Sequence, residues 1–120
     1  MGKFLIKKLS TGYKFHLMTL SGEQVATGEV YTTKAACRKG IQGIAAIAPT
    51  APAVDADAGE TASNPKFEYF CDKTGKFRFR LLARNGKIVA VSTGYRSREN
   101  CLAAIEAVRA IVQRATVEDL

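Results

Sequence analysis

Hydrophobic and polar positions alternate with the same rhythm in two separate places along the chain. In the first, Tyr13, Phe15 and Leu17 fall on one side of an extended backbone and Lys14 and His16 on the other. In the second, Phe77, Phe79 and Leu81 oppose Arg78, Arg80 and Leu82. A period of two with aromatic and charged residues interleaved predicts a half-buried β-strand. Each alternating run follows a shorter β-type run, Phe4 to Leu9 and Phe67 to Cys71, ended by a turn at Ser10-Thr11-Gly12 or Asp72-Lys73-Thr74-Gly75. Each precedes a hairpin turn, Ser21-Gly22 or Asn85-Gly86, and a third strand, Val25 to Thr27 or Ile88 to Val91. The period then changes. Behind Thr33 and Ser97, whose hydroxyls suit helix N-caps, Cys37, Ile41, Ile44 and Ala48 recur at helical spacing, as do Cys101, Ile105, Val108 and Val112. Pro49 ends the first helix, because proline removes a backbone donor and clashes with the preceding turn.

The same elements in the same order predict an internal repeat. Residues 13–48 laid over 77–112, an offset of 64, match at ten of 36 positions, among them Phe15/Phe79, Tyr31/Tyr95, Cys37/Cys101 and Ile41/Ile105. Chance at average residue usage gives about two or three. The expected fold class is α+β: a tandem duplication of a β-β-β-α unit, with antiparallel sheets, two helices and pseudo-two-fold symmetry. The first unit spans residues 1–48 and the second 66–120. Between them, 49–65 holds all three prolines and three acids, Asp55, Asp57 and Glu60, but no base and no aromatic. Such a stretch has little to bury, so it reads as a linker without fixed structure. A unit of about 50 residues is too small to be robust alone, so the two are expected to fold as one domain.

The residues of the second unit resemble the YegP-like proteins, a domain of unknown function that often occurs as a tandem pair. The likeness runs through Lys66-Phe67-Glu68-Tyr69-Phe70, Gly75-Lys76-Phe77-Arg78-Phe79-Arg80-Leu81, Asn85-Gly86-Lys87-Ile88-Val89-Ala90, and Ser92 with Tyr95. The first unit carries the pattern more loosely, in Gly2-Lys3-Phe4, Tyr13-Lys14-Phe15, Gly22, Tyr31 with Lys34, and Gly40-Ile41. It departs at Ser21 and Gly28, where the family has Asn and Ser, and the second unit departs at Ala104, where the family has Gly. The resemblance implies a compact fold of two units about a pseudo-two-fold axis. It implies no activity, cofactor or catalytic residue.

Composition changes this picture little. Hydrophobic residues make up 47% of the 120, enough for a core, and 18 Lys and Arg against 11 acids give a net charge of +7. A basic balance favours polyanionic partners in a general way. Three cysteines, Cys37, Cys71 and Cys101, without a Cys-x-x-Cys, and one histidine, His16, lack the spacing of a zinc site. Cys37 and Cys101 fall on the apolar stripes of their helices and read as core. The odd count argues against a disulfide framework and for a reducing, cytoplasmic compartment. Apolar runs are too short for a signal peptide or a membrane span. No Gly-rich phosphate loop leads into a helix, and no acid recurs in both units.

The expectation is therefore a non-enzymatic, cytoplasmic protein without cofactor or metal. It would be a monomer with an internal pseudo-dimer, acting through surface interactions with an unknown protein partner. The alternative is a nucleic-acid-binding module using the basic face of the second strand of each unit. The residues for that are Lys14, His16, Arg78, Arg80, Arg84 and Lys87, since alternate strand positions project together and basic residues on a sheet can hold phosphates. Phe77 and Phe79 point the other way, towards the core, and Met18 and Leu82 interrupt the basic face. Tyr31 and Tyr95 are expected to wedge the helices onto the sheet.

Overall fold

The alternating runs pair where the turns allow. In the computed structural model, which describes residues 2–119, β1 (Gly2–Leu9), β2 (Gly12–Thr19) and β3 (Gln24–Thr27) form an antiparallel meander that leads into α1 (Lys34–Ile47). After β4 (Ala53–Asp55), a second meander of β5 (Lys66–Cys71), β6 (Phe77–Leu82) and β7 (Ile88–Val91) leads into α2 (Arg98–Val112) and β8 (Thr116–Asp119). Thr33 and Ser97 cap the helices as expected, each side chain accepting a backbone N–H from the residue three further on. The first helix ends at Ile47, before Pro49.

The meanders join into one sheet of order β4-β5-β6-β7-β3-β2-β1-β8. The seam is a single antiparallel pairing, Thr27 with Val91. Two features correct the sequence reading. The sheet is single and mixed, not a set of antiparallel sheets, because β4 lies parallel on β5 and β8 parallel on β1. The stretch 49–65 is not structureless either: it contains β4, with Ala51, Val54 and Asp55 buried. Short parallel edge pairing draws on backbone groups, so it needs neither aromatics nor a long alternating pattern. Pro52, which has no N–H, still accepts one from Phe67 at 2.8 Å, and Ala56 donates to Tyr69 at 3.0 Å.

Both helices cover one face of the sheet. The core between the layers holds Phe4, Ile6, Phe15 and Leu17 from one meander and Phe67, Phe79 and Leu81 from the other, beneath Cys37, Ile41, Ile44, Cys101, Ile105 and Val108. The phenylalanines meet edge to face, Phe4 on Phe15 at 5.7 Å and Phe67 on Phe79 at 5.8 Å. Tyr31 stacks on Phe15 and presses its hydroxyl against α1 at Gly40, where even a methyl carbon would come within 2.2 Å of it. It wedges helix to sheet as its place before the cap suggested.

Candidate nucleic-acid interface on the helix-free face

Alternation places the polar half of each strand on the face that no helix covers. The register runs one row of side chains across that face: Val54, Glu68, Arg80, Val91, Thr27, His16, Leu5 and Glu118. Lys14 lies on the His16 side of the seam and Arg78 on the Arg80 side. Arg84 and Lys87 sit at the β6–β7 turn, away from the strand rows. The structure thus spreads the six candidate residues over two meanders and a turn, and it does not gather them into one cluster.

Three of the six already have acidic partners. Arg78 donates through Nε to Asp72 at 2.5 Å, and Arg80 through Nε to Glu68 at 2.8 Å. Lys87 meets Glu29 at 3.3 Å across the seam. Arg80 also lies over the Phe70 ring at 5.0 Å. The hydroxyl of Thr74, followed by the guanidinium of Arg78, holds the Asp72 carboxyl well below its ordinary range. Burial alone would raise the Glu68 carboxyl, but Arg80 and Lys66 outweigh it and hold it low. A cation already satisfied by a carboxylate offers less to a phosphate, because binding must first break the existing pair.

Of the six, Lys14, His16 and Arg84 make no ion pair among the described residues, and the first two stand together on the first meander. Lys14 pairs in register with Lys7, which the sequence reading passed over, and neither makes an ion pair among the described residues. Like charges directly opposite on a sheet destabilise it. The lysine at position 7 was visible in the sequence, but its register with Lys14 was not. His16 stands beside them, its Nδ1 at 2.9 Å from Gln24 Oε1. Partial burial, then the charges of Lys14 and Lys7, push the imidazole below its ordinary 6.5 against the pull of Gln24.

This lowered value has a sign. Between the folded pKa and 6.5 the unfolded chain binds more protons, so stability falls as pH drops through that window. His16→Gln should remove this contribution. The urea midpoint should then change less between about pH 7 and about pH 5.5 than in the parent protein. An unchanged pH slope would mean that the fold does not lower the His16 imidazole below its ordinary value.

Cys37 and Cys101 are buried free thiols, and burial pushes Cys101 up to about 11. Thiolate chemistry requires the opposite shift. Cys71 is exposed. Among the described residues, no group of three or more His, Cys, Asp or Glu side chains could hold a metal ion, and no helix is long and apolar enough to cross a membrane.

The polar positions at which the first unit departs from the family pattern prove structural. Buried Ser92 accepts the Phe79 N–H at 2.8 Å and donates to the Thr93 carbonyl at 2.8 Å. Asn85 accepts the Lys87 N–H at 3.0 Å inside its turn. Gly28 replaces the serine because a Cβ there would stand 2.2 Å from the Phe15 ring. Ser92→Ala should therefore cost about 1–3 kcal/mol by orphaning a buried donor. Urea denaturation measures it, and a loss below about 0.5 kcal/mol would show that Phe79 N–H finds another acceptor.

Fold and face together define a two-layer α+β protein whose polar sheet surface holds its charges partly in internal pairs. The chain belongs to the family described as a domain of unknown function (DUF1508), whose model matches twice, over residues 10–55 and 72–119. The UPF0339 protein YegP of Escherichia coli O157:H7 is 32% identical over 115 residues, covering 96% of this chain and 93% of that one. A UPF0339 protein of Treponema denticola is 47% identical over 55 residues, which are 95% of its length. That relative is about as long as one unit. Solution structures of YegP from E. coli, described as of unknown function, and of a UPF0339 protein from Shewanella oneidensis both superpose with TM-score 0.80. Their identities are 28% and 27%, with 98% and 99% of this chain covered and 91% of each neighbour. The resemblance to YegP-like proteins read from the residues is borne out, and the family carries no assigned activity.

Proposed function

We propose that the chain is a non-enzymatic cytoplasmic binding protein, built as a tandem pseudo-dimer, that acts through the helix-free face of its sheet. The observation that carries this reading is the composition of that face at the seam. Val91 is 43% exposed in the seam pairing, and Ile88, opposite Leu82 beyond the β6 bulge, is 42% exposed. Apolar side chains left open on a sheet surface, with charged groups around them, suit a protein partner. The experiment is affinity capture from lysate with the parent protein and with Val91→Glu/Ile88→Glu. A partner held by the first and lost by the second supports the reading. Identical capture by both would end it.

The pseudo-dimer draws support from contacts that recur 64 residues apart. The seam pairs Thr27 with Val91, and the bridge Tyr13–Tyr31 has its counterpart in Phe77–Tyr95. The tail of each half lies on the first strand of the other. There Asp119 reaches Lys34 at 3.3 Å, and Asp55 reaches Arg98 at 3.5 Å. Segments 1–48 and 66–120 would then be two copies of one unit, with 49–65 both linker and, through β4, the counterpart of the edge strand β8. The chain is a monomer on this reading, since each half already has its partner. Three free thiols, one exposed, fit a reducing compartment.

A second reading, nucleic-acid binding, is favoured by one observation: the facing, unpaired lysines Lys7 and Lys14 beside His16. It moves the phosphate contact away from Arg78, Arg80 and Lys87. Anisotropy of labelled single-stranded RNA at low and physiological salt tests it. Lys7→Glu/Lys14→Glu should weaken binding by about tenfold or more and reduce its salt dependence, with Arg78→Ala/Arg80→Ala doing much less. No binding at physiological salt, or a larger loss from the arginine pair, would defeat this version.

A further inference from the structure

A second surface lies on the opposite, helix-bearing side, where α1 of the first half leans over the β6–β7 turn of the other. Between them runs a groove of ≈ 360 Å³, lined by Gly40, Gly43, Ile44, Ile47 and Val89, with Arg84 and Asn85 from the turn as its polar residues. Its walls are almost wholly apolar, and its volume falls at the lower end of the range for small-molecule sites. Arg84 makes no ion pair among the described residues. It therefore brings one uncommitted positive charge to an apolar hollow.

The two glycines on the α1 wall differ in origin. Gly40 is required by the fold, since the Tyr31 hydroxyl occupies the space of its side chain. Gly43 is required by nothing, because a Cβ there would meet no atom within 4 Å. A glycine inside a helix costs about 1 kcal/mol relative to alanine. At Gly43 packing gives no compensation for that cost; what the missing side chain leaves is the open wall of the groove. The hollow between α2 and the β2–β3 turn, ≈ 350 Å³, is chemically different. There Ala104 and Ala107 replace the glycines, and Glu23 stands at the rim.

We infer that the α1 groove binds a free monocarboxylic acid with a short apolar body, its carboxylate on Arg84 and its hydrocarbon between Ile44, Ile47 and Val89. Charge selects the head group, since a guanidinium pairs with a carboxylate and repels an amine. The apolar walls select the body. The α2 hollow, with its acid, should reject the same molecule. The site is independent of the helix-free face, so it stands or falls separately from the function proposed above.

The test is an amide NMR titration of the full nitrogen-15-labelled chain with octanoate, octylammonium and octanol. Octanoate should give saturable shifts at Gly43, Ile47 and Val89, and octylammonium should give none there. Octanol should bind more weakly than octanoate by about tenfold, the share carried by a charged hydrogen bond. Arg84→Ala should bring octanoate to the level of octanol. Gly43→Leu should abolish the shifts while the spectrum stays folded and the unfolding midpoint stays level or rises. The inference is overturned if octanoate shifts none of these amides, if octylammonium binds as well, or if the shifts map to the α2 hollow. It is overturned equally if a folded Gly43→Leu protein binds as before, and Arg84→Ala, an exposed change, decides the matter if that variant does not fold.

Discussion

Phe79→Ala is expected to remove about 3–5 kcal/mol of stability, and Phe15→Ala the same amount, with the whole chain unfolding in a single transition in each case. Both rings are 1% exposed, and each meets a second phenylalanine edge to face. Their loss leaves cavities that the surrounding sheet and helix cannot close. A domain of this size holds about 5–15 kcal/mol in all, so either variant approaches the edge of folding. The single transition follows from how the halves share their core. α1 packs over β1, β2 and β7, and α2 over β6, β1 and β3, so each helix touches strands of both meanders. β8, which follows α2, pairs with β1, and β4, which follows α1, pairs with β5. Urea denaturation followed by far-ultraviolet circular dichroism and by tyrosine fluorescence should give coincident curves. Separate transitions in the two probes would mean that the halves are independent domains.

Gly12→Ala should cost about 3 kcal/mol, whereas Gly75→Ala should cost only about 1 kcal/mol. Both glycines end the first turn of their meander, and both have positive φ, +149° at Gly12 and +84° at Gly75. Their surroundings differ. A Cβ at Gly12 would stand 2.1 Å from the carbonyl oxygen of Tyr31, which accepts the Tyr13 N–H at 2.7 Å. Backbone cannot step aside there without breaking the bridge that brings the chain round to α1. At Gly75 nothing lies within 4 Å, and only the backbone conformation is strained. Urea midpoints of the two variants measure the contrast. Equal losses would show that strain in the turn, not contact with Tyr31, governs both positions.

The candidate interface was legible in part. Alternation correctly put Lys14, His16, Arg78 and Arg80 on the face away from the core, since the side-chain period of a strand is a local property. Their chemical state was not legible. Arg78 is engaged by an acid in its own turn, Arg80 by an acid on the neighbouring strand, and Lys87 by Glu29 across the seam. Whether a basic residue is free depends on register, and register is settled by how whole strands align.

The sequence by itself determined the two meanders, both helices with their caps and the core phenylalanines. Each of these rests on periodicity or turn chemistry within a dozen residues. Only the tertiary structure decided that the meanders merge into one mixed sheet, and that β4 lies parallel on β5 and β8 parallel on β1. It alone set Lys7 against Lys14, pressed Gly12 onto Tyr31 and opened a groove beside Gly43. The physical reason is the range of the interactions. A short parallel edge strand such as Ala53–Asp55 is held by backbone hydrogen bonds to a partner many residues away, and its own three side chains carry no sign of that partner.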